Sequence, residues 1–329
     1  MINIKALFVS SGTASEGIGS LVWEQGESLK AKGIAIEYFT IKDKGISGYL
    51  RHIFKLKNHL NKNQYDIIHA HYGLSGLIAI LANRKRIKLI ISFMGNDLLG
   101  DHARNGKSTF VGKLLVSINQ LFAKYADHII VKNQGMSTII THKNISVIPN
   151  GLDLNLFYSM SKSYTISKIG WDKEVSNLLF MSDPEKPEKN YNLTKSALLQ
   201  LENYNYQVHF LKDIPHNEVV NYYNASVVCL LSSYHEGSPN VIKEAMACNC
   251  PVVATDVGDI KWLIGEIPGY YLASFDLFDF ADKIKLALEF SSQYGKTKGR
   301  ERIIELGLDS ETVAGNIIEI YNKVLNLES

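Results

Sequence analysis

Short, almost wholly apolar runs recur along this chain, and each is followed by a segment whose apolar residues have helical spacing. The first half contains IKALFVS, IAIEYFT, DIIHA, KLIISF, HIIV and SVIP; the second contains NLLFM, QVHFL, VVCLL, PVVAT and YYLA. A strand that is apolar on both faces must be buried on both faces, so these runs predict parallel sheets covered by helices on either side. Two such series in 329 residues predict two doubly wound α/β domains. Ligands of such sheets bind at the carboxyl ends of the strands. Strand patterning stops near PNGLDLNLFYSMSKSYTISKIG, which marks the boundary. Among the helices, IGSLVWEQGESLKAKG has Gly33 as its stop. The last, DSETVAGNIIEIYNKVLNL, has a Ser310 cap and apolar Val313, Ile317, Ile318, Ile320, Tyr321 and Val324.

Charge divides the chain in the same way. Residues 1–150 hold 19 Lys and Arg against 9 Asp and Glu, a net +10, and the remainder holds 16 against 24, a net −8. The opening MINIKALFVSSG reads as a strand and turn rather than a signal peptide. No apolar run approaches the ~18 residues of a membrane span. Cys229, Cys248 and Cys250 are odd in number and lie in apolar surroundings, which fits a reducing compartment. Cys248-Asn249-Cys250 has no second ligand pair at metal spacing, so small buried residues are expected there rather than a zinc site. The expected location is cytoplasmic.

The stretch YHEGSPNVIKEAMACNCPVVATDVG, Tyr234 to Gly258, carries the chemistry. Ser238 suits an N-cap and Pro239 a first helical position, so a helix is expected to begin there, after the strand VVCLL. A helix N-terminus at that place offers free backbone N–H groups to a phosphate. Gly237 lets the backbone approach a ligand closely. Glu236 precedes the helix and Glu244 lies almost two turns into it. A carboxylate accepts hydrogen bonds only, which suits the vicinal hydroxyls of a sugar. Two carboxylates with a phosphate site between them describe a nucleotide-sugar. Taken alone, Glu244 also reads as a solvated helix residue.

The complete string resembles the donor segment of the family-4 retaining glycosyltransferases, with its Glu-x7-Glu signature. That resemblance implies the GT-B fold, two Rossmann-like domains facing a central cleft. It implies an N-terminal acceptor-side domain over 1–155, a nucleotide-sugar-binding domain over 156–308, and a C-terminal helix over 309–329 that crosses back to the N-domain. It implies that Glu244 holds the donor ribose, that Glu236 acts at the sugar, and that Gly237, Ser238, Pro239, Asn240 and Val241 line the donor. SVIPNGLDLNLF resembles the family's interdomain segment, at Pro149, Asn150, Gly151, Asp153 and Phe157. LLFMSDPEKPEKNYNLTKSAL resembles the segment with the basic pair on the donor diphosphate, which assigns Lys186 and Lys189 that role. The first is commonly arginine, and lysine lacks the bidentate fork; a solvated charged loop is the other reading of this segment. EGIGS, Glu16 to Ser20, stands where the family has a glycine-rich loop, and brings Gly17 to the donor. YDIIHAHYG and ISFMGNDLL resemble N-domain segments, with Met94 where many members have histidine. Asp97 is then the candidate catalytic residue of that loop, or else a turn carboxylate. His69 and His71, ending a strand, read equally as packed or active residues.

The expected reaction is hexosyl transfer with retention from a UDP- or GDP-sugar to a glycan or lipid-linked glycan, in cell-surface polysaccharide biosynthesis. The resemblance implies a front-face transfer in which a donor phosphate oxygen helps deprotonate the acceptor. No Asp-x-Asp occurs, so a metal-independent enzyme with no cofactor is expected, and no nucleic-acid partner. A nucleotide-sugar epimerase and a non-catalytic subunit of a polysaccharide-assembly complex remain as alternatives. A nicotinamide oxidoreductase is disfavoured, since SSGTASEGIG has its glycines out of place. YLRHIFKLKNHLNKN carries Arg51, Lys55, Lys57 and Lys62 beside an apolar stripe of Ile53, Leu56 and Leu60, flanked by Leu50 and Phe54; RKRIK follows at Arg84 to Lys88. The segment reads either as a helix packed on its sheet or as one that draws the basic domain onto the anionic inner face of a membrane.

Overall fold

The computed structural model describes residues 4–12, 17–42, 45–100 and 109–327; Glu16 of the glycine-rich loop lies outside them. Two compact units are present. The first holds the described residues up to Gly151 together with the helix Ser310–Leu325, and the second holds Leu152–Asp309.

In the first unit, β1 (Lys5–Ser11), β2 (Ala35–Ile41), β3 (Ile67–His71), β4 (Lys88–Ser92), β5 (His128–Val131) and β6 (Ile145–Val147) form one sheet in the order β2-β1-β3-β4-β5-β6. Every pair is parallel, and Phe8 is in register with Tyr38 on one side and His69 on the other. The period-2 alternation of the strands divides their side chains between two cores. Ala6, Phe8, Ile67, Ile90 and Ile130 pack with Val22 and Leu29 of the helix Ser20–Ala31 and with Val313, Ile317 and Tyr321 of the last helix. Leu7, Val9, Ile68, Leu89, Ile91 and Ile129 pack with the helices Gly45–Lys62, Gly73–Ala82 and Phe110–Ala123. Leu56 and Leu60 are buried there and Ile53 packs beside them, so the apolar stripe of Gly45–Lys62 is core, and only Leu50 and Phe54 stay exposed.

In the second unit, β7 (Ser176–Phe180), β8 (Tyr206–Phe210), β9 (Val228–Leu231), β10 (Val252–Thr255) and β11 (Tyr270–Ala273) form a parallel sheet in the order β11-β10-β9-β7-β8. One face carries Leu179, Cys229, Leu231, Val252 and Ala254 against the helices Val219–Ala225 and Asn240–Ala247. The other carries Leu178, Phe180, Leu230 and Val253 against Tyr191–Leu198 and Leu277–Tyr294. All three cysteines are buried thiols. No helix of the described residues is long and apolar enough to cross a membrane.

The strand order reverses between β1 and β3 and again between β7 and β9. These are the topological switch points, where the loops leave to opposite faces and open a crevice at the carboxyl edge. The passages of the chain between the units are paired: the Leu152 N–H donates to Leu308 O at 2.9 Å, and Leu152 bridges Asp309. A Cβ at Gly151 would meet Ser310 Cα at 2.8 Å, which accounts for glycine in PNGLD. The last helix is Ser310–Leu325, so Ser310 is its first residue rather than a cap before it.

His69 is fully buried, with Nδ1 2.8 Å from the Tyr321 hydroxyl and Nε2 2.7 Å from Ser92 Oγ. It joins the last helix to the middle of the sheet. Burial, then the charges of Lys132 and His128, push its pKa down to about 3; burial takes His128 down to about 4. Tyr321→Phe should therefore cost about 1–3 kcal/mol, the penalty for leaving a buried ring nitrogen without its partner. Denaturant titration at pH 7 measures it, and an unchanged midpoint would refute the role. The depressed pKa values also fix a pH dependence. The unfolded chain takes up protons below about pH 6.5 that the folded histidines refuse, so stability present above that pH is lost as pH falls towards 3. His69 alone accounts for up to about 2 kcal/mol between pH 6.5 and 5. Equal denaturation midpoints at pH 7 and pH 5 would contradict this.

Candidate functional site

At the switch point of the second sheet, the loop after β7 meets the loop after β9. Backbone and hydroxyl bonds tie them together. Tyr234 N–H donates to Glu188 O at 2.9 Å, and Ser232 Oγ donates to Asn190 O at 2.9 Å while accepting from Thr194 Oγ1 at 2.8 Å. Across this seam Lys189 Nζ lies 2.6 Å from Glu236 Oε1, and Ser233 Oγ donates to the same oxygen at 2.7 Å. Both members of the ion pair are largely withdrawn from water, with side chains 20% and 13% exposed. Lys186 projects from the same loop and is exposed.

The turn Gly237–Ser238–Pro239 is buried and leads into the helix Asn240–Ala247, whose first turn holds Asn240 and Val241. Ser238 does not cap this helix. Pro239, extended at φ −70° and ψ 117°, stands at the cap position without a side-chain bond, and the residue before a proline is held out of the helical region. Among the described residues, Ser238 Oγ, Asn240 Oδ1 and both carboxylate oxygens of Asp259 are buried without a hydrogen bond of full bonding geometry, although Ser238 lies near enough to Asp259 to favour its charged form. Such orphaned groups are costly unless something fills them, and here three residues around one turn share the condition. The turn is held close by Gly258, at φ +63°, where a Cβ would lie 2.6 Å from Gly237 O and 2.7 Å from Glu236 O. Only glycine permits that approach.

Glu244 is 4% exposed and is not a solvated helix residue. Tyr223 donates its hydroxyl to Oε2 at 2.8 Å, and His216 Nε2 lies 3.1 Å from Oε1. Phe157, from the PNGLDLNLF segment, packs against both of those rings. Beside Glu244, Lys243 is fully buried, and burial brings its ammonium down to about 8 against the pull of Asp259 and Glu244. Burial raises Asp259 to about 6, opposed by Ser238 and Lys243. Tyr223, His216, Ser233, Lys243 and Asp259 went unpredicted. Asp259 directly follows the DVG tripeptide and Lys243 precedes Glu244, whereas nothing local marks Tyr223 or His216.

The switch point of the first sheet opens on a cavity of about 370 Å³, lined among others by Ser11, Gly19, Tyr49, Tyr72, Asn96 and Asp97. Gly17, at φ +86°, lies in the loop after β1, where a Cβ would meet open space; its backbone conformation is what calls for glycine. Asp97 has the arrangement of a turn carboxylate: it accepts from the backbone N–H of Gly95 at 2.9 Å, Met94 at 3.0 Å and Gly73 at 3.1 Å. Burial raises its pKa, and these donors oppose the shift. Tyr72 is held at φ +71°, a strained setting for a bulky residue and one that clusters at functional sites. His71 is buried, stacked on His69 at 4.4 Å, and neither ring nitrogen has a hydrogen-bond partner among the described residues. No group of three or more His, Cys, Asp or Glu placed to hold a metal occurs among the described residues.

Comparison with known proteins agrees with this division. Residues 17–156 match the model of Glycosyltransferase Family 4, and residues 171–289 match that of Glycosyl transferases group 1. The chain is 24% identical over 223 residues to TuaC of Bacillus subtilis (strain 168), a candidate teichuronic acid biosynthesis glycosyltransferase, covering 61% of this chain and 56% of that protein. It is 24% identical over 268 residues to the D-inositol 3-phosphate glycosyltransferase of Frankia alni, covering 67% and 65%. The matches thus span less than two thirds of these curated relatives. Among solved structures, sucrose-phosphate synthase from Thermosynechococcus elongatus superposes with a TM-score of 0.83 at 18% identity, over 99% of this chain and 100% of that one. HepE of Anabaena, in complex with UDP-glucose, does so with 0.74 at 17% identity, over 98% and 100%. With a family-4 model over its first half, a group-1 model over its second, and GT-B structures matching both sheets, the chain belongs to the family-4 glycosyltransferases of GT-B fold.

Proposed function

We propose that this chain is a retaining hexosyltransferase that moves a sugar from a UDP- or GDP-sugar to a hydroxyl of a glycan or lipid-linked glycan, in the assembly of a cell-surface polysaccharide. One observation carries the reading. Two withdrawn carboxylates, Glu236 and Glu244, bracket a turn where buried polar atoms of Ser238, Asn240 and Asp259 make no full hydrogen bond among the described residues, at the switch point of a parallel sheet. The solved relative HepE holds UDP-glucose, and the name of TuaC places it in teichuronic acid biosynthesis, which supports the donor class and the polysaccharide setting.

On this reading Glu244, fixed by Tyr223 and His216, accepts from the ribose hydroxyls, and Glu236 accepts from hydroxyls of the transferred sugar. Lys189 and Lys186 supply positive charge to the diphosphate, with the backbone N–H groups of the turn and helix start. An incoming diphosphate competes with Glu236 for the Lys189 ammonium, so binding exchanges one ion pair for another and frees Glu236 for the sugar. The bond from the anomeric carbon to the phosphate oxygen breaks, the acceptor oxygen bonds to that carbon from the same face, and its proton passes to the departing phosphate. Asp97 holds the wall of the first-unit cavity in shape for the acceptor. Positioning and fixed charge then supply the catalysis, with no cofactor beyond the substrate.

Glu244→Ala should weaken nucleotide diphosphate binding by roughly 1–3 kcal/mol, through loss of charged acceptors, in calorimetric titration. Tyr223→Phe, which keeps the carboxylate, should bind more nearly like the parent. Glu236→Gln should lower turnover more than affinity. Parental binding and turnover in both glutamate variants would remove the basis of the assignment. Activity should survive EDTA, because the leaving diphosphate is met by lysines and backbone; loss restored by magnesium or manganese would show that a metal does this work.

A further inference from the structure

The helix Asn240–Ala247 buries two consecutive charged residues. Glu244 is the ribose candidate; Lys243, just before it, is fully withdrawn from solvent. An ammonium loses its hydration on burial, a cost that nearby negative charge must offset. Asp259, from the loop after β10, supplies that charge. Burial disfavours the charge on both groups, while each favours the charge on the other, and Glu244 adds to the pull on Lys243. Asp259 is 9% exposed, and its two oxygens are shut off from solvent. The residue before it fixes its place. Gly258 brings the loop after β10 so close to the donor turn that a Cβ would lie 2.6 Å from Gly237 O. Ser238 of that turn also favours the Asp259 charge. One buried cation is thus set among the Glu244 carboxylate, the donor turn and the loop that closes on the turn.

We propose that Lys243 and Asp259 are positioning residues of the donor site: the buried ammonium, drawn to both Asp259 and Glu244, ties the ribose carboxylate to the turn Gly237–Asn240 and holds that turn in the conformation that receives the diphosphate. The inference rests on the nucleotide-sugar reading and adds to it two residues that touch no substrate. Apolar side chains in their place would often be as stabilising or more so, because desolvation offsets the attraction of a buried pair. Charge here therefore serves arrangement. Gly237-Ser238-Pro239 has little side chain of its own to lock it, and an ion pair anchored on two neighbouring elements does that instead. The other charged or titratable groups around the pair are Glu236, held by Lys189, and His216, held on Glu244. His235 lies on the donor loop, and Asp256 and Lys261, flanking Asp259, are exposed.

The test is calorimetric titration of the whole chain with UDP-glucose, GDP-mannose and ADP-glucose, whose diphosphates carry no proton that titrates near neutral pH, across a pH series. The parent should bind at least one of them best between about pH 6 and about pH 8. Affinity should fall below that window as Asp259 takes up a proton, and above it as Lys243 loses one. Asp259→Asn should abolish the acid limb. Lys243→Met should abolish the alkaline limb and move the acid limb to higher pH, because the ammonium that favours the Asp259 charge is gone. Each single variant leaves one charge buried alone and should melt earlier. Lys243→Met with Asp259→Asn leaves none, and should melt near the parent yet bind roughly tenfold or more weakly. A double variant that regains parental affinity along with parental melting would reduce the pair to a structural role and overturn the proposal. An acid limb that survives in Asp259→Asn belongs to His216 or His235 and overturns it too. Binding of none of the three by the parent would sink the nucleotide-sugar reading itself, and this inference with it.

Discussion

A parallel strand returns to its sheet only through a crossover, so all strands of a sheet end on one edge. Most of what is distinctive in this chain hangs from that constraint. In the second unit the edge collects the loops after β7 and β9, and the reversal of strand order between them sends those loops to opposite faces. The gap is closed by charge: Lys189 from one loop meets Glu236 from the other at 2.6 Å. An ion pair this withdrawn from water is weak evidence for stability, because desolvation offsets its attraction. Its value lies in holding two charged groups ready at a defined place.

The second glutamate is held by different means. A tyrosine hydroxyl and an imidazole from distant segments grip the two oxygens of Glu244. Its environment is therefore polar and rigid, and Phe157 packs the rings that hold it. Between the two carboxylates the turn keeps buried polar atoms that make no full hydrogen bond among the described residues. Saturated anchors around an unsaturated turn are the pattern of a site organised in advance of its ligand.

Much of this was legible in the sequence. The eleven strands of the described residues could be read because runs apolar on both faces have few other uses, and the Glu-x7-Glu spacing led to the second-unit site. What escaped depends on long-range packing. Tyr223 and His216 precede Glu244 by a whole strand and loop, and nothing near them marks a partnership. Ser238 looked like a cap because Ser-Pro commonly opens a helix, but an extended Pro239 delays the helix to Asn240. At the first unit's outer layer the sequence left two readings of the apolar stripe open, and the packed one holds. The stripe of Ile53, Leu56 and Leu60 faces the sheet, as packing a helix on a sheet requires. Exposed apolar residues lie instead on Phe110–Ala123, whose fully buried residues are Gly112, Asn119 and Ala123. A period shows that a helix has two faces, not which one is inside.

The central claim is that the Glu236–Glu244 turn and the loop after β7 together receive a nucleotide diphosphate. Hydrogen–deuterium exchange of the whole chain, with and without UDP, GDP or ADP, locates that event directly, since a bound ligand slows exchange where it orders backbone. The account predicts that at least one of the three slows exchange at residues 181–190 and 232–247, and leaves the helix Phe110–Ala123 unchanged. Protection confined to the first unit, or none with any of the three, would contradict it.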